Sequence, residues 1–112
     1  MGASYIDKDG LVKIDPSLCI GCKYCMTACP YGMRWLEPVL GLPEKCMGEE
    51  CQTRIKQGLQ PVCVTVCPAG ARAFGDLDDP KSEINKRLKS GRVIKLLEYK
   101  GTKPKFFVVV GR

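Results

Sequence analysis

The chain contains no histidine. That removes the side chain most often used as a general acid or base, and no other residues form an activated nucleophile with its base. Hydrolytic chemistry is therefore not expected. Long apolar runs are missing too. The longest is Phe106-Phe-Val-Val-Val110, far short of the ~20 residues of a membrane-spanning helix. The start, Met1-Gly-Ala-Ser-Tyr-Ile-Asp7, is short and polar, unlike a secretory leader. No nucleic-acid recognition motif accompanies the basic residues, and bare lysine and arginine richness is weak evidence for such a partner.

What is abundant is cysteine: eight in 112 residues. A chain of this length buries only about two-thirds of its unfolded surface, so cross-links or metal are natural supports. An even cysteine count permits disulfides, paired zinc sites or two iron–sulfur clusters. With no leader of its own, the chain is expected in the reducing cytoplasm, or exported only together with a signal-bearing partner, and disulfides are disfavoured there. The formal charge of +6 is uneven. Residues 1–80 carry eight Lys/Arg against ten Asp/Glu, whereas residues 81–112 carry ten against Glu83 and Glu98.

The spacing of the cysteines decides among the metal options. Cys19, Cys22, Cys25 and Cys29, followed by Pro30, read C-x2-C-x2-C-x3-C-P, the run of bacterial-type ferredoxins. Three thiolates at i, i+3 and i+6 can wrap three corners of a cubane, while the fourth follows a helical turn and serves the neighbouring cluster. Zinc sites more often use two well-separated C-x2-C pairs. Under the crossover rule, cluster one takes Cys19, Cys22, Cys25 and the distant Cys67. Cluster two takes Cys46, Cys51, Cys63 and the distant Cys29, and none is left over. Two oxidised [4Fe–4S] clusters with their thiolates would lower the formal charge to about +2. Clusters closed by four thiolates leave one-electron transfer as the expected task. Lys23, Arg34, Lys45, Arg54 and Arg72 lie near these ligands in sequence. They are expected either to raise a cluster potential or to be ordinary solvated cations. Tyr24, Tyr31 and Trp35 read as core, the alternative being that they shield the clusters from water.

An internal repeat supports the pairing. Cys25-x3-Cys29-Pro30-x-Gly32-x-Arg34 recurs as Cys63-x3-Cys67-Pro68-x-Gly70-x-Arg72, displaced by 38 residues, which predicts two halves related by an approximate two-fold. Ser4–Ile6 and Leu11–Ile14 flank an Asp-Gly turn and predict a hairpin. Pro38, Gly41 and Pro43 mark a loop. Helices are predicted over 51–58 and 61–67, the second with Pro61 at its first position. A third is predicted over about 80–90, with Asp79-Pro80 as its cap and Gly91 as its stop. Strands at Val93–Tyr99 and Lys105–Val110, joined through Gly101–Pro104, complete a tail apolar on two faces. Such a hairpin is expected to dock on a partner, the alternative being that it packs back on the cluster domain. The predicted fold is α+β: a 2[4Fe–4S] ferredoxin-like pseudo-two-fold domain over residues 1–78, and a helix plus β-hairpin docking tail over 79–112.

The run Cys19-Ile-Gly-Cys-Lys-Tyr-Cys-Met-Thr-Ala-Cys-Pro-Tyr-Gly32 resembles the iron–sulfur (beta) subunits of the dimethyl-sulfoxide-reductase superfamily of molybdopterin oxidoreductases. So do Arg54–Cys63, Cys67-Pro-Ala-Gly-Ala71 and Phe74–Pro80. The resemblance implies a subunit relaying electrons to or from a molybdenum or tungsten bis-pterin catalytic partner, with a further carrier or membrane-anchor subunit on its other side. A free-standing two-cluster ferredoxin is the alternative. Family members generally hold four clusters in a chain about twice as long, and this chain resembles their second unit. It departs from them at C-x4-C between Cys46 and Cys51, where the family writes C-x2-C. That makes Cys46 the weakest of the eight ligand assignments.

Overall fold

Asp7 shapes the first hairpin of the computed structural model, which describes residues 1–111. Its Oδ1 accepts the N–H groups of Asp9 (2.9 Å) and Leu11 (3.0 Å), the side-chain turn that aspartate favours. The turn brings β1 (Ser4–Ile6) antiparallel to β2 (Val12–Ile14), with Tyr5 opposite Lys13. The connection is thus a loop organised by Asp7, longer than the two-residue Asp-Gly turn expected. Lys13 Nζ reaches back to Asp7 Oδ2 at 2.6 Å.

The described chain is a small mixture of helices and strands in two compact units, one of Met1–Gln52 and one beginning at Thr53. In the first unit, α1 (Tyr24–Ala28) follows the hairpin and lies against β3 (Arg34–Leu36). Strand β3 pairs antiparallel with β4 (Pro43–Lys45), placing Arg34 opposite Lys45 and Trp35 opposite Glu44. The loop marked by Pro38, Gly41 and Pro43 is present. The strands on either side of it went unread because three residues each is too short for alternation to show. Two cations stitch the hairpins together: Arg34 Nη2 donates to Ser4 Oγ at 2.7 Å, and Lys45 Nζ donates to Val12 O at 3.1 Å.

Helix α2 (Glu49–Lys56) carries two glutamates in its first turn and Arg54 and Lys56 in its last, the charge order its dipole prefers. It begins two residues before the predicted start and ends before Gly58, whose N–H donates to Ile55 O at 3.0 Å. In the second unit, α3 (Val62–Thr65) is shorter than predicted. Pro61 is its cap rather than its first turn, its carbonyl accepting the N–H groups of Val64 and Thr65 at 3.1 Å each. Helix α4 (Glu83–Leu88) also starts later than predicted. Asp79 makes a turn to Lys81 N (2.9 Å), Ser82 is the cap, and Lys89, not Gly91, ends the helix. Ile84 on α4 packs on Gly75, where an added Cβ would lie 3.1 Å from Ile84 Cγ2. The final hairpin pairs β5 (Arg92–Lys95) with β6 (Phe107–Val110), Lys95 opposite Phe107. The rest of the first predicted strand turns instead into a short 3-10 helix, Glu98–Lys100, after Leu97 takes a left-handed φ of 50°.

No apolar side chain among the described residues is fully buried. Only Pro43 and Pro61 are classed as buried at all. Tyr24 is 75% exposed and Trp35 49%, so neither is core. With so few layers there is no interior for them to enter. The Lys13 ammonium, together with the N–H groups of Leu11 and Asp9, holds the Asp7 carboxyl below the usual carboxylate range. Asp7 in turn raises Lys13. A lowered carboxyl stabilises the fold above its ordinary value of ~3.9 and loses that effect as pH falls through the folded value. The stability advantage of the native chain over Asp7→Asn, measured by denaturant midpoint, should therefore be constant near neutrality and vanish in acid. Lys13→Gln should lose only part of the same advantage, because the Leu11 and Asp9 amides still hold the carboxylate.

Candidate metal centre

None of the eight cysteines forms a disulfide. Cys19, Cys25, Cys29, Cys51 and Cys67 are half-buried, while Cys22, Cys46 and Cys63 are exposed. The first three in sequence line a loop bent at Gly21 (φ 70°) and Lys23 (φ 61°). A lysine in the left-handed region costs about 1–2 kcal/mol, and such strain concentrates where a loop must take a shape for function. Lys23 then caps α1, its carbonyl accepting the N–H of Met26 at 3.0 Å. Cys25 lies in the first turn of α1, and the N–H of Cys29 donates to its carbonyl at 3.2 Å. Lys23 is exposed, so its visible task is to shape the loop.

After Cys29 the chain turns back on its own sulfur. The N–H of Met33 is the strongest influence drawing the Cys29 thiol below its ordinary value, followed by those of Tyr31 and Gly32, with the Arg34 charge adding to them. The second unit repeats this locally. The N–H of Ala71 leads in lowering the Cys67 thiol, joined by those of Ala69 and Arg72 and by the Arg72 charge. In both turns the glycine N–H donates to the cysteine carbonyl, Gly32 to Cys29 at 3.3 Å and Gly70 to Cys67 at 3.1 Å. Both glycines take positive φ, 63° and 57°. Pro30 and Pro68 have no N–H to misplace. Amide hydrogen bonds to a thiolate are the outer-shell feature that tunes cysteine-held clusters. The donor set thus fits the cofactor: thiols held towards their charged form in the two turns that the repeat makes equivalent.

Supporting contacts reach the same loops. Arg54 Nε donates to Gln60 O at 2.8 Å, and its Nη2 donates to Thr65 Oγ1 at 3.3 Å. It braces the approach to Cys63. Arg87 Nη1 donates to Gly70 O at 2.8 Å and its Nε pairs with Glu83 at 3.2 Å. Asn85 Nδ2 ties down Leu77 O (2.9 Å) and Asp79 O (2.6 Å). The tail helix therefore supports the Cys67 turn. Sequence reasoning missed this role of Arg87, although the Glu83–Arg87 spacing that orients it was visible. Cys46 follows β4, and the two residues beyond the family spacing lead into α2, where Gln52 Nε2 donates to Met47 O at 2.9 Å. Among the described residues no three Cys, Asp or Glu side chains converge as a single metal ion would require. A cubane holds its thiolates farther apart, one on each of its four irons.

Cysteine turns lined by amides, repeated in one small chain, define an iron–sulfur protein. Residues 1–77 match the family of the 4Fe-4S dicluster domain, and the chain thus belongs to that family. Its cofactors are two [4Fe–4S] clusters. The chain is 50% identical over 108 residues to a polysulfide reductase chain of Wolinella succinogenes, covering 96% of this chain and 56% of that protein. It is 41% identical over 128 residues to a putative dimethyl sulfoxide reductase iron-sulfur subunit of Halobacterium salinarum (99% and 48%). It is 49% identical over 86 residues to the thiosulfate reductase electron transfer subunit PhsB of Salmonella typhi (76% and 43%). The chain spans about half the length of the curated relatives it matches.

Two outcomes follow from this geometry. A Cβ on Gly32 would meet no described protein atom within 4 Å, so Gly32→Ala should cost at least the left-handed backbone penalty, about 1–2 kcal/mol. Gly32→Asn should cost less, as denaturation of the loaded protein would show. Because ligation rather than an apolar core organises the fold, anaerobic removal of iron and sulfide should abolish the cooperative thermal transition followed by circular dichroism.

Proposed function

We propose that this chain is an electron-transfer subunit, passing single electrons through two [4Fe–4S] clusters to or from a molybdenum or tungsten bis-pterin catalytic subunit. The observation that carries the reading is the pair of amide-lined turns at Cys29 and Cys67, each placing a cation, Arg34 or Arg72, in the field of a thiol. We assign Cys19, Cys22, Cys25 and Cys67 to one cluster and Cys29, Cys46, Cys51 and Cys63 to the other, the crossed pattern that the spacing favours. The repeat at +38 argues for an approximate two-fold between the halves of a cluster domain over residues 1–78. The clusters supply one-electron chemistry. The chain's own part is to keep thiolates charged, to shape their loops, and to present a surface to a partner.

The printed names of the relatives, as components of polysulfide, dimethyl sulfoxide and thiosulfate reductases, support a place in a larger reductase complex. Residues 79–112 suit docking. Tyr99 is 82% exposed and Phe106 64%, among Lys95, Lys100, Lys103 and Lys105. Apolar surface of this kind marks contact sites. No helix among the described residues is long and apolar enough to cross a membrane, and we assign any membrane-anchoring role to a further subunit. Thiols that must stay reduced to bind iron favour cluster loading in the cytoplasm.

Iron and sulfide analysis with low-temperature EPR of the reduced protein tests the reading. About eight irons and two interacting S = 1/2 signals are expected, with a pterin-containing protein co-purifying. A colourless protein without sulfide would reject the cluster reading. A cluster-loaded chain that purifies only as a stable, soluble monomer would reject the subunit role. Cys46→Ser should reduce the count to about four irons if Cys46 is a ligand, and leave it unchanged otherwise.

A further inference from the structure

Arg34 and Lys45 stand directly opposite each other across β3 and β4. Like charges in that position repel. Neither forms an ion pair with a carboxylate among the described residues, although Glu44 and Glu37 are close in sequence. Arg34 Nη1 is buried and has no hydrogen-bond partner, which costs more for a charged group than for a neutral one. The remaining bonds go to neutral oxygens: Arg34 to Ser4 Oγ, and Lys45 to Val12 O and to the Cys46 carbonyl. Two cations are thus held together, partly buried and with no described anion paired to them. Both stand beside cysteines. Lys45 precedes Cys46 and donates to its carbonyl, and Arg34 begins the strand against which α1, capped by Cys29, lies.

We propose that the Arg34–Lys45 pair is the electrostatic counterpart of the cluster shared by Cys29 and Cys46, and that it raises the reduction potential of that cluster above that of its neighbour. The inference rests on the two-cluster reading and adds an inequality between the clusters. A cluster on four thiolates is anionic and gains one further negative charge when one electron is added to it. Nearby cations attract the reduced state more strongly and shift the couple upward. In the second unit Arg72 occupies the place of Arg34 beside Cys67. There α4 brings Arg87 to the Gly70 carbonyl of the same turn, but Arg87 is paired with Glu83 at 3.2 Å, whereas neither Arg34 nor Lys45 is paired with a described carboxylate. The compensation is unequal.

Redox titration followed by EPR on the intact cluster-loaded chain, or on its complex, tests this. Arg34→Gln and Lys45→Gln should each make reduction of one cluster about tenfold less favourable, about 59 mV for a one-electron couple, and leave the other cluster unmoved. Arg34→Lys keeps the charge, and Ser4→Ala removes only the hydrogen bond to Arg34. Both should retain the native midpoints. A pair that merely staples the two hairpins would give the opposite pattern, with Ser4→Ala and Arg34→Gln lowering thermal stability alike while no midpoint moves. Unchanged midpoints in both glutamine variants at about eight irons would overturn the proposal, and so would equal shifts of both clusters. Should Arg34→Gln lose a cluster, Lys45→Gln carries the test, because its hydrogen bonds go only to backbone carbonyls. A native protein without iron and sulfide would overturn the two-cluster reading itself, an outcome separate from clusters whose potentials do not move.

Discussion

The rest of the structure depends on compensating the charge of cysteine thiolates. In this chain of 112 residues no described apolar side chain is fully buried. Full burial of a typical apolar side chain is worth about 1.5–3 kcal/mol, and half-buried side chains contribute only part of that. What adds to it is ligation, because the free energy of binding a metal cluster is also folding free energy. Ligation in turn needs the sulfurs charged. The local architecture answers that need with backbone amides after Cys29 and Cys67 and with an arginine beside each.

The hairpins and short helices make sense in that light. Helices α1 and α3 have five and four residues, too short to be stable alone in water. Each instead delivers a cysteine to the start of an amide-lined turn. The elements around them act on the same loops from outside. Arg54 holds the carbonyl of Gln60 ahead of Cys63, and Arg87 holds that of Gly70 after Cys67. Exposed hydrogen bonds of this kind are individually worth about 1 kcal/mol. Their value here lies in fixing the direction of an N–H or a carbonyl where a cluster would sense it.

How much of this was legible in the sequence follows from the range of each signal. The cysteine spacing, the repeat and the first hairpin depend on residues a few positions apart, and they could be read directly. The cofactor followed from them. Element ends were read less well. Proline at 61 and aspartate at 79 act as cap and turn rather than as first helical residues, a difference of one to three positions that local preference does not resolve. Strands β3 and β4 escaped because three residues carry too little alternation. Tyr24 and Trp35 read as core because aromatic residues usually are, but a chain with this few layers has no place to bury them. The pairing of Arg34 with Lys45 is a matter of register across a hairpin that had not been recognised, so no spacing rule could supply it.

That pairing bears on direction. A relay of two equivalent clusters would pass electrons equally well either way, its bias set by its partners alone. The repeat at +38 makes the two cysteine turns alike down to glycine and arginine, so any inequality must come from what the chain adds outside the repeat. Strand β4 adds Lys45 to one turn, while α4 adds Arg87 to the backbone of the other. The first sets an ammonium beside Cys46, bonded to the Val12 and Cys46 carbonyls and to no described carboxylate. The second is spent on a carbonyl and on Glu83, which partly cancels its charge. Unequal surroundings of two like turns are therefore the physical basis on which the proposed inequality of potentials rests.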